Sequence, residues 1–216
     1  MGLRLFHITE FAQSMLSPAA QREARHPALA VVLASLWLAV VGNLPLWREL
    51  WRLPMDTLAL LWISLCFALL CMAALGTLLS VLNWSWLLRP ALTLLLWLVA
   101  CNTLLLWAGQ GYLQAGTLPS GWRLVLAQLR ALPLWQVLLT FGLLALLPTV
   151  LLWGYGLRRI ALMHRLPQNL LLLVAFLALL GATWFAGRNA LLPLLQDQPR
   201  WLELLNPFNT LLSLRH

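Results

Sequence analysis

The side chains able to do acid–base, nucleophilic or metal chemistry are few in this sequence and poorly placed for it. The four histidines, His7, His26, His164 and His216, stand far apart and without spaced carboxylates. Neither a metal centre nor a Ser/His/Asp arrangement can be read from them. Six carboxylates occur in all, and none lies between Asp56 and Asp197. Gly109-Gln110-Gly111-Tyr112 is too short for a phosphate-binding loop and lacks its lysine and its strand context. Cys66, Cys71 and Cys101 fall inside apolar runs at no metal-ligand spacing and read as small core residues. The long middle of the chain must therefore work without a carboxylate. Arginine supplies all 14 basic residues, and a guanidinium pairs bidentately with phosphate.

The elements that must position these groups are apolar. Hydrophobic residues make up 62% of the 216 and charged residues only 9%, against about a quarter charged in a soluble domain. That composition describes an integral membrane protein. The arginines are scattered singly between apolar runs, so the net charge of +8 reads as topology signals and lipid-headgroup partners, not as a nucleic-acid surface. The expected fold class is all-α and polytopic. Five runs, near residues 28–47, 58–82, 90–107, 134–155 and 169–185, approach the roughly 20 residues that cross a bilayer. Pro90 suits the first turn of the third span, and Pro148 predicts a kink in the fourth. Arg188 is expected to end the fifth. Ala73, Ala74 and Gly76 predict a close helix contact in the second span. Short interfacial helices are expected in the connection 108–133 and in the tail, where Asn206-Pro207 could cap and open one. Residues 1–26 read as a cytoplasmic or interfacial lead-in, not a signal peptide, since Glu10 interrupts any apolar core there.

Tryptophan and arginine alternate at one side of this arrangement. With the N-terminus inside, Trp47, Trp51, Trp107, Trp122, Trp135 and Trp201 fall towards the outer surface, interleaved with Arg48, Arg52, Arg123, Arg130 and Arg200. Indole rings settle at headgroup depth. The pattern fits an ordinary aromatic belt with snorkelling arginines, or a face that holds phospholipid headgroups. Asn43, at membrane depth, has two readings: a bond to a carbonyl freed near Pro45, or contact with a ligand. The charge count across the two sides is seven arginines against seven, and the dense basic loop around Arg158, Arg159 and Arg165 favours an inside N-terminus. Proton-coupled transport finds little support, because the spans offer only Asn43, Asn102, Thr103 and Thr140 for a polar path.

Three stretches, GNLPLWREL at 42–50, LLRPALTLLLW at 87–97 and LLNPFNTLLSL at 204–214, resemble the N-terminal membrane domain of the bacterial lipid A phosphoethanolamine transferases, the group that includes the mobile colistin-resistance enzymes. The likeness covers about residues 26–216. It implies a bacterial inner-membrane domain of five spans, N-terminus cytoplasmic and C-terminus periplasmic. It also implies a periplasmic sulfatase-like domain, expected to be absent from this chain, that carries the threonine nucleophile and the zinc. No cofactor is expected in the chain itself. The family's outer loop after the third span holds acidic and amide residues that bind the lipid donor. Here Tyr112 fits its start, but residues 113–135 contain no Asp, Glu, Met or Asn.

The resulting division is a lead-in over 1–26, a five-helix domain over 27–191, and a periplasmic amphipathic tail or linker over 192–216. The expected lipid contacts are Asn43, Tyr112, Arg123, Gln128 and Arg130, with no catalytic or metal residue. The expected partners are membrane phospholipid, possible lipid A, and a separately encoded periplasmic phosphotransferase domain, but no nucleic acid. Two functions follow: a domain that anchors and presents lipid to that catalytic partner, or a non-enzymatic scaffold or regulatory relative.

Overall fold

The computed structural model describes residues 26–83, 87–108, 132–154, 162–197 and 204–213, with 123, 126, 127, 130 and 201. Among them the elements are helical only: α1 (Pro27–Val40), α2 (Leu44–Leu50), α3 (Thr57–Val81), α4 (Leu88–Trp107), α5 (Leu134–Phe141), a π turn (Gly142–Leu146), α6 (Leu147–Gly154), α7 (Leu162–Asp197) and α8 (Phe208–Ser213). Four helical stretches are long and apolar enough to cross a membrane: α3, α4, the α5–α6 rod and residues 166–196 of α7. A fifth is counted if α1 and α2, bent by 44°, are one span. An apolar helix satisfies its own backbone, the condition for crossing hydrocarbon, so this is a helical membrane protein.

Two antiparallel pairs carry the bundle. In the first, α3 lies along α7. A Cβ on Gly76 would run into the ring of Phe176, so only glycine lets the helices approach this closely. Cys66 meets Gly187 further along the pair. Asn83 Nδ2 donates to Asn169 Oδ1 at 2.8 Å, and Asn169 Nδ2 returns a bond to the Asn83 carbonyl at 3.3 Å. Replacing Asn169 with Leu should lower stability by about 1 kcal/mol, the usual scale for an interhelical bond in a membrane. Denaturation in mixed micelles measures this, and an unchanged midpoint would remove the pair from the list of stabilising contacts.

In the second pair, α4 runs against the α5–α6 rod. The rings of Trp97 and Phe141 stand 5.7 Å apart, and Trp153 Nε1 donates to Thr93 Oγ1 at 3.1 Å. Where Pro148 predicts a kink, the rod carries a π turn directly before α6. Proline offers no N–H to the carbonyl four residues back and crowds it. A wider turn, closed by the Leu147 N–H on the Gly142 carbonyl, accommodates the ring at that point.

Two expectations change. The first span is not one straight helix but breaks between Val40 and Leu44. The fifth does not end at Arg188: α7 continues through it to Asp197. Arg188 points outward, its guanidinium 6.0 Å from the Phe185 ring. The adjoining face of the same turns buries Leu191 in a cluster with Leu46, Leu50, Ile63, Cys66, Phe67 and Trp201. One exposed charge does not stop a helix whose other face is still covered. The lead-in 1–25 and most of the connection 109–131 lie outside the described residues. Within that connection Arg123, Leu126, Ala127 and Arg130 are helical.

Candidate functional site: a buried amide cluster

The break in α1–α2 is built by its own residues. Gly42 fits because a Cβ there would sit 2.5 Å from the Leu38 carbonyl oxygen and 2.9 Å from a Val99 methyl. The Gly42 N–H reaches back to the Trp37 carbonyl at 3.3 Å, which leaves the carbonyls of Leu38 and Ala39 without their helical partners. Asn43 Nδ2 donates to both, each at 3.1 Å. Of the two readings of Asn43, the freed-carbonyl bond is the one observed. Trp47 Nε1 donates to the Val40 carbonyl at 2.6 Å, tying α2 to the end of α1 across the break.

What enters at the break is the tail. The Asn206 N–H donates to Asn43 Oδ1 at 2.9 Å, joining residues 163 apart in sequence. Asn206 Nδ2 donates to the Val99 carbonyl at 2.9 Å, to Thr103 Oγ1 at 3.2 Å and to the Gly42 carbonyl at 3.4 Å. Asn102 Nδ2 meets Thr210 Oγ1 at 2.8 Å, Asn206 Oδ1 at 3.2 Å and Asn209 Oδ1 at 3.4 Å. Asn43, Asn102, Thr103 and Asn206 are fully buried, and Asn209 and Thr210 nearly so. The peptide bond between Asn206 and Pro207 is cis. Phe208 rests against Leu38, Leu75, Leu96 and Val99.

The cluster is made of amides and hydroxyls alone. It holds no acid, base or nucleophile suited to bond breaking, and among the described residues no group of His, Cys, Asp or Glu could hold a metal ion. What it can do is fix the path of residues 204–210 in the end of the bundle where α4 finishes. Buried polar groups hold one register because any other leaves several unsatisfied.

Of the five predicted lipid contacts, Asn43 lies in this cluster, with its amide engaged by protein partners. Arg123 and Arg130 are exposed on helical backbone in the connection between α4 and α5, at the same end. Tyr112 and Gln128 lie outside the described residues. The structure does not bring Asn43 into a shared surface with the two arginines. Asn102 and Thr103, the sequence's candidates for a polar path, instead bond the tail, and Asn209 and Thr210 join them there. Their signal in the sequence is the density of polar residues, Asn206, Asn209 and Thr210 within five positions of an otherwise apolar stretch; Asn206 lies in the turn before α8, and Asn209 and Thr210 lie on it.

The class defined by fold and site is a helical membrane protein whose C-terminal segment is locked into one end of its bundle. Residues 126–216 match the sequence model of the family described as Phosphoethanolamine transferase EptA/EptB. The match spans less than half of the chain, and of the three stretches that carry the resemblance it includes LLNPFNTLLSL alone. No curated protein and no solved structure matches the chain.

Proposed function

We propose that this chain is the membrane domain of a phosphoethanolamine transferase system, anchoring a catalytic domain and presenting a phospholipid donor, and lipid A as acceptor, at the periplasmic face of a bacterial inner membrane. The observation that carries the reading is the family match over residues 126–216, which includes the tail segment held by the amide cluster. A segment fixed in this way sets where anything joined to it or docked on it stands relative to the bilayer. The transfer step, with its zinc and its nucleophile, belongs to a phosphotransferase domain partnered with this chain. The N-terminus is cytoplasmic in this reading, and the cluster end is periplasmic.

Arg123 and Arg130 supply the headgroup contacts, with Tyr112 and Gln128 beside them in sequence. Seven residues apart, the two guanidiniums share one helical face and can each take a phosphate oxygen pair. The double replacement Arg123→Ala with Arg130→Ala should reduce co-purified phospholipid by about threefold, since an exposed arginine–phosphate contact contributes about 0.3–1 kcal/mol. Native mass spectrometry of the purified chain gives the count, and unchanged lipid occupancy removes both residues from the site. For the function itself, the chain is assayed for phosphoethanolamine transfer alone and with a soluble phosphotransferase domain. Transfer only in the second assay supports the reading. Transfer by neither sinks it and leaves the scaffold reading, which the carboxylate-free stretch 57–196 favours.

A further inference from the structure

The half of the bundle towards Arg89 carries a second feature, which reaches Val41, just short of the Gly42–Asn43 break. Between α1, α4 and α6 lies a cleft of about 520 Å³, lined only by apolar side chains and Trp37. It opens sideways. Leu33, Leu36, Val40, Leu147 and Leu151 line it and are still 43–46% exposed, so the gap faces the surroundings of the bundle and not its core. On α1 it reaches from Ala30 to Val41. At 1.5 Å per residue that is about 16 Å, close to half of the ~30 Å hydrocarbon core.

The position of the cleft says which half. Its floor includes Leu92 and Leu96, in the first half of α4, and its wall includes Leu151 and Leu152, near the end of α6. Val41, at the far end, meets the Ala100–Leu144–Ala145 cluster near mid-bundle. One turn before Leu92 stands Arg89, its guanidinium 5.6 Å above the ring of Trp153, the neighbour of Leu152. The lining of the cleft thus stops at Leu92 and Leu152, one turn and one residue short of an arginine–indole pair, and reaches about the middle of the bundle.

We propose that this cleft holds one acyl chain of a phospholipid from the leaflet at the Arg89 end, with the lipid phosphate beside Arg89. Length, lateral opening and the sign of the charge at the mouth all fit that occupant, because a guanidinium next to an indole at headgroup depth suits phosphate. The site is at the opposite end from Arg123 and Arg130, needs no transfer chemistry, and stands or falls separately from the transferase reading. Lipid tails are as apolar as leucine, so the cleft gains only packing over bulk lipid, and the preference it confers is about fivefold rather than thousandfold.

The test uses the full chain in nanodiscs containing phosphatidylglycerol with a photoreactive diazirine at mid-chain, followed by peptide mapping. Labelling should concentrate about fivefold on residues 30–41 and 147–152 over the exposed face at Leu94. Excess unlabelled phosphatidylglycerol should compete it away. Ala34→Phe and, separately, Ala30→Phe fill the cleft and should abolish the excess while labelling at Leu94 persists, which also shows that each variant has inserted and folded. Arg89→Gln should weaken the excess for phosphatidylglycerol. Even labelling over both faces overturns the proposal, as does an excess that survives both cleft-filling changes. An excess indifferent to Arg89→Gln overturns the placement of the phosphate.

Discussion

Replacing Asn206 with Leu should release the tail from the bundle and lower stability by about 2–3 kcal/mol. The side chain donates to the Val99 carbonyl, Thr103 Oγ1 and the Gly42 carbonyl and accepts from Asn102 Nδ2. Leucine removes all of these and strands buried partners, at about 1–3 kcal/mol for each group left unsatisfied. Two of those partners keep other bonds: Thr103 Oγ1 still donates to Val99 at 2.8 Å, and Asn102 Nδ2 still reaches Thr210. That redundancy, with the small net worth of interhelical bonds in membranes, sets the estimate below the sum. Hydrogen exchange across residues 204–210 should rise by about 30-fold to 100-fold, since 1.4 kcal/mol is a factor of ten. Asn206→Asp should not rescue, because the carboxylate cannot donate to the Val99 carbonyl. If exchange and the denaturation midpoint both stay at wild-type values, the cluster does not hold the tail.

The second large effect is expected at Gly76. Gly76→Val places branched carbons where the Phe176 ring lies, and Phe176 is buried between α3, α1 and α4 side chains with little room to withdraw. Overpacking of a tight contact costs about 1–3 kcal/mol, occasionally more. A clash with a buried aromatic ring between two spanning helices belongs at the upper end. Phe176→Ala alone leaves a cavity and costs about 3–5 kcal/mol. The informative measurement is the double variant. If ring and valine compete for one volume, the pair together should be less destabilised than the two single changes summed, by 1 kcal/mol or more, in the range found for residues in contact. Additive losses in mixed-micelle denaturation would show that the Gly76–Phe176 contact does not set the spacing of α3 and α7.

The two ends of the bundle are thus held by different means. At one, Asn83 and Asn169 pair across α3 and α7; at the other, six amide and hydroxyl residues join α1, α4 and the tail. Between them the contacts of α3 with α7 at Gly76 and Gly187 are apolar, which in a bilayer supply packing but little hydrophobic drive. Losing the Asn206 set should therefore free a segment, whereas losing the Gly76 contact should move whole helices apart. The transferase reading depends on the first and is indifferent to the second so long as the bundle stays folded.

Much of this protein was legible in its residues alone. Long apolar runs, the near absence of charge within them and tryptophans at their ends define a helical membrane protein, because hydrocarbon admits only backbone that bonds to itself. Pro148 marked the irregular turn in the α5–α6 rod, and Ala73 to Gly76 marked the close contact of α3. The resemblance to phosphoethanolamine transferases rested on short stretches, of which LLNPFNTLLSL lies inside the matched region. What the order of residues did not reveal is which amides meet. Asn43, Asn102 and Asn206 are each a lone polar residue in greasy surroundings, and only the folded bundle brings them together across 104 to 163 positions. The same holds for α7, where Arg188 looked like a boundary until the burial of Leu191 against α2 and α3 carried the helix past it. Local pattern sets what can span a bilayer. Partner choice among distant polar groups, and the reach of a helix beyond a charge, are decided by which faces are covered once the helices have packed.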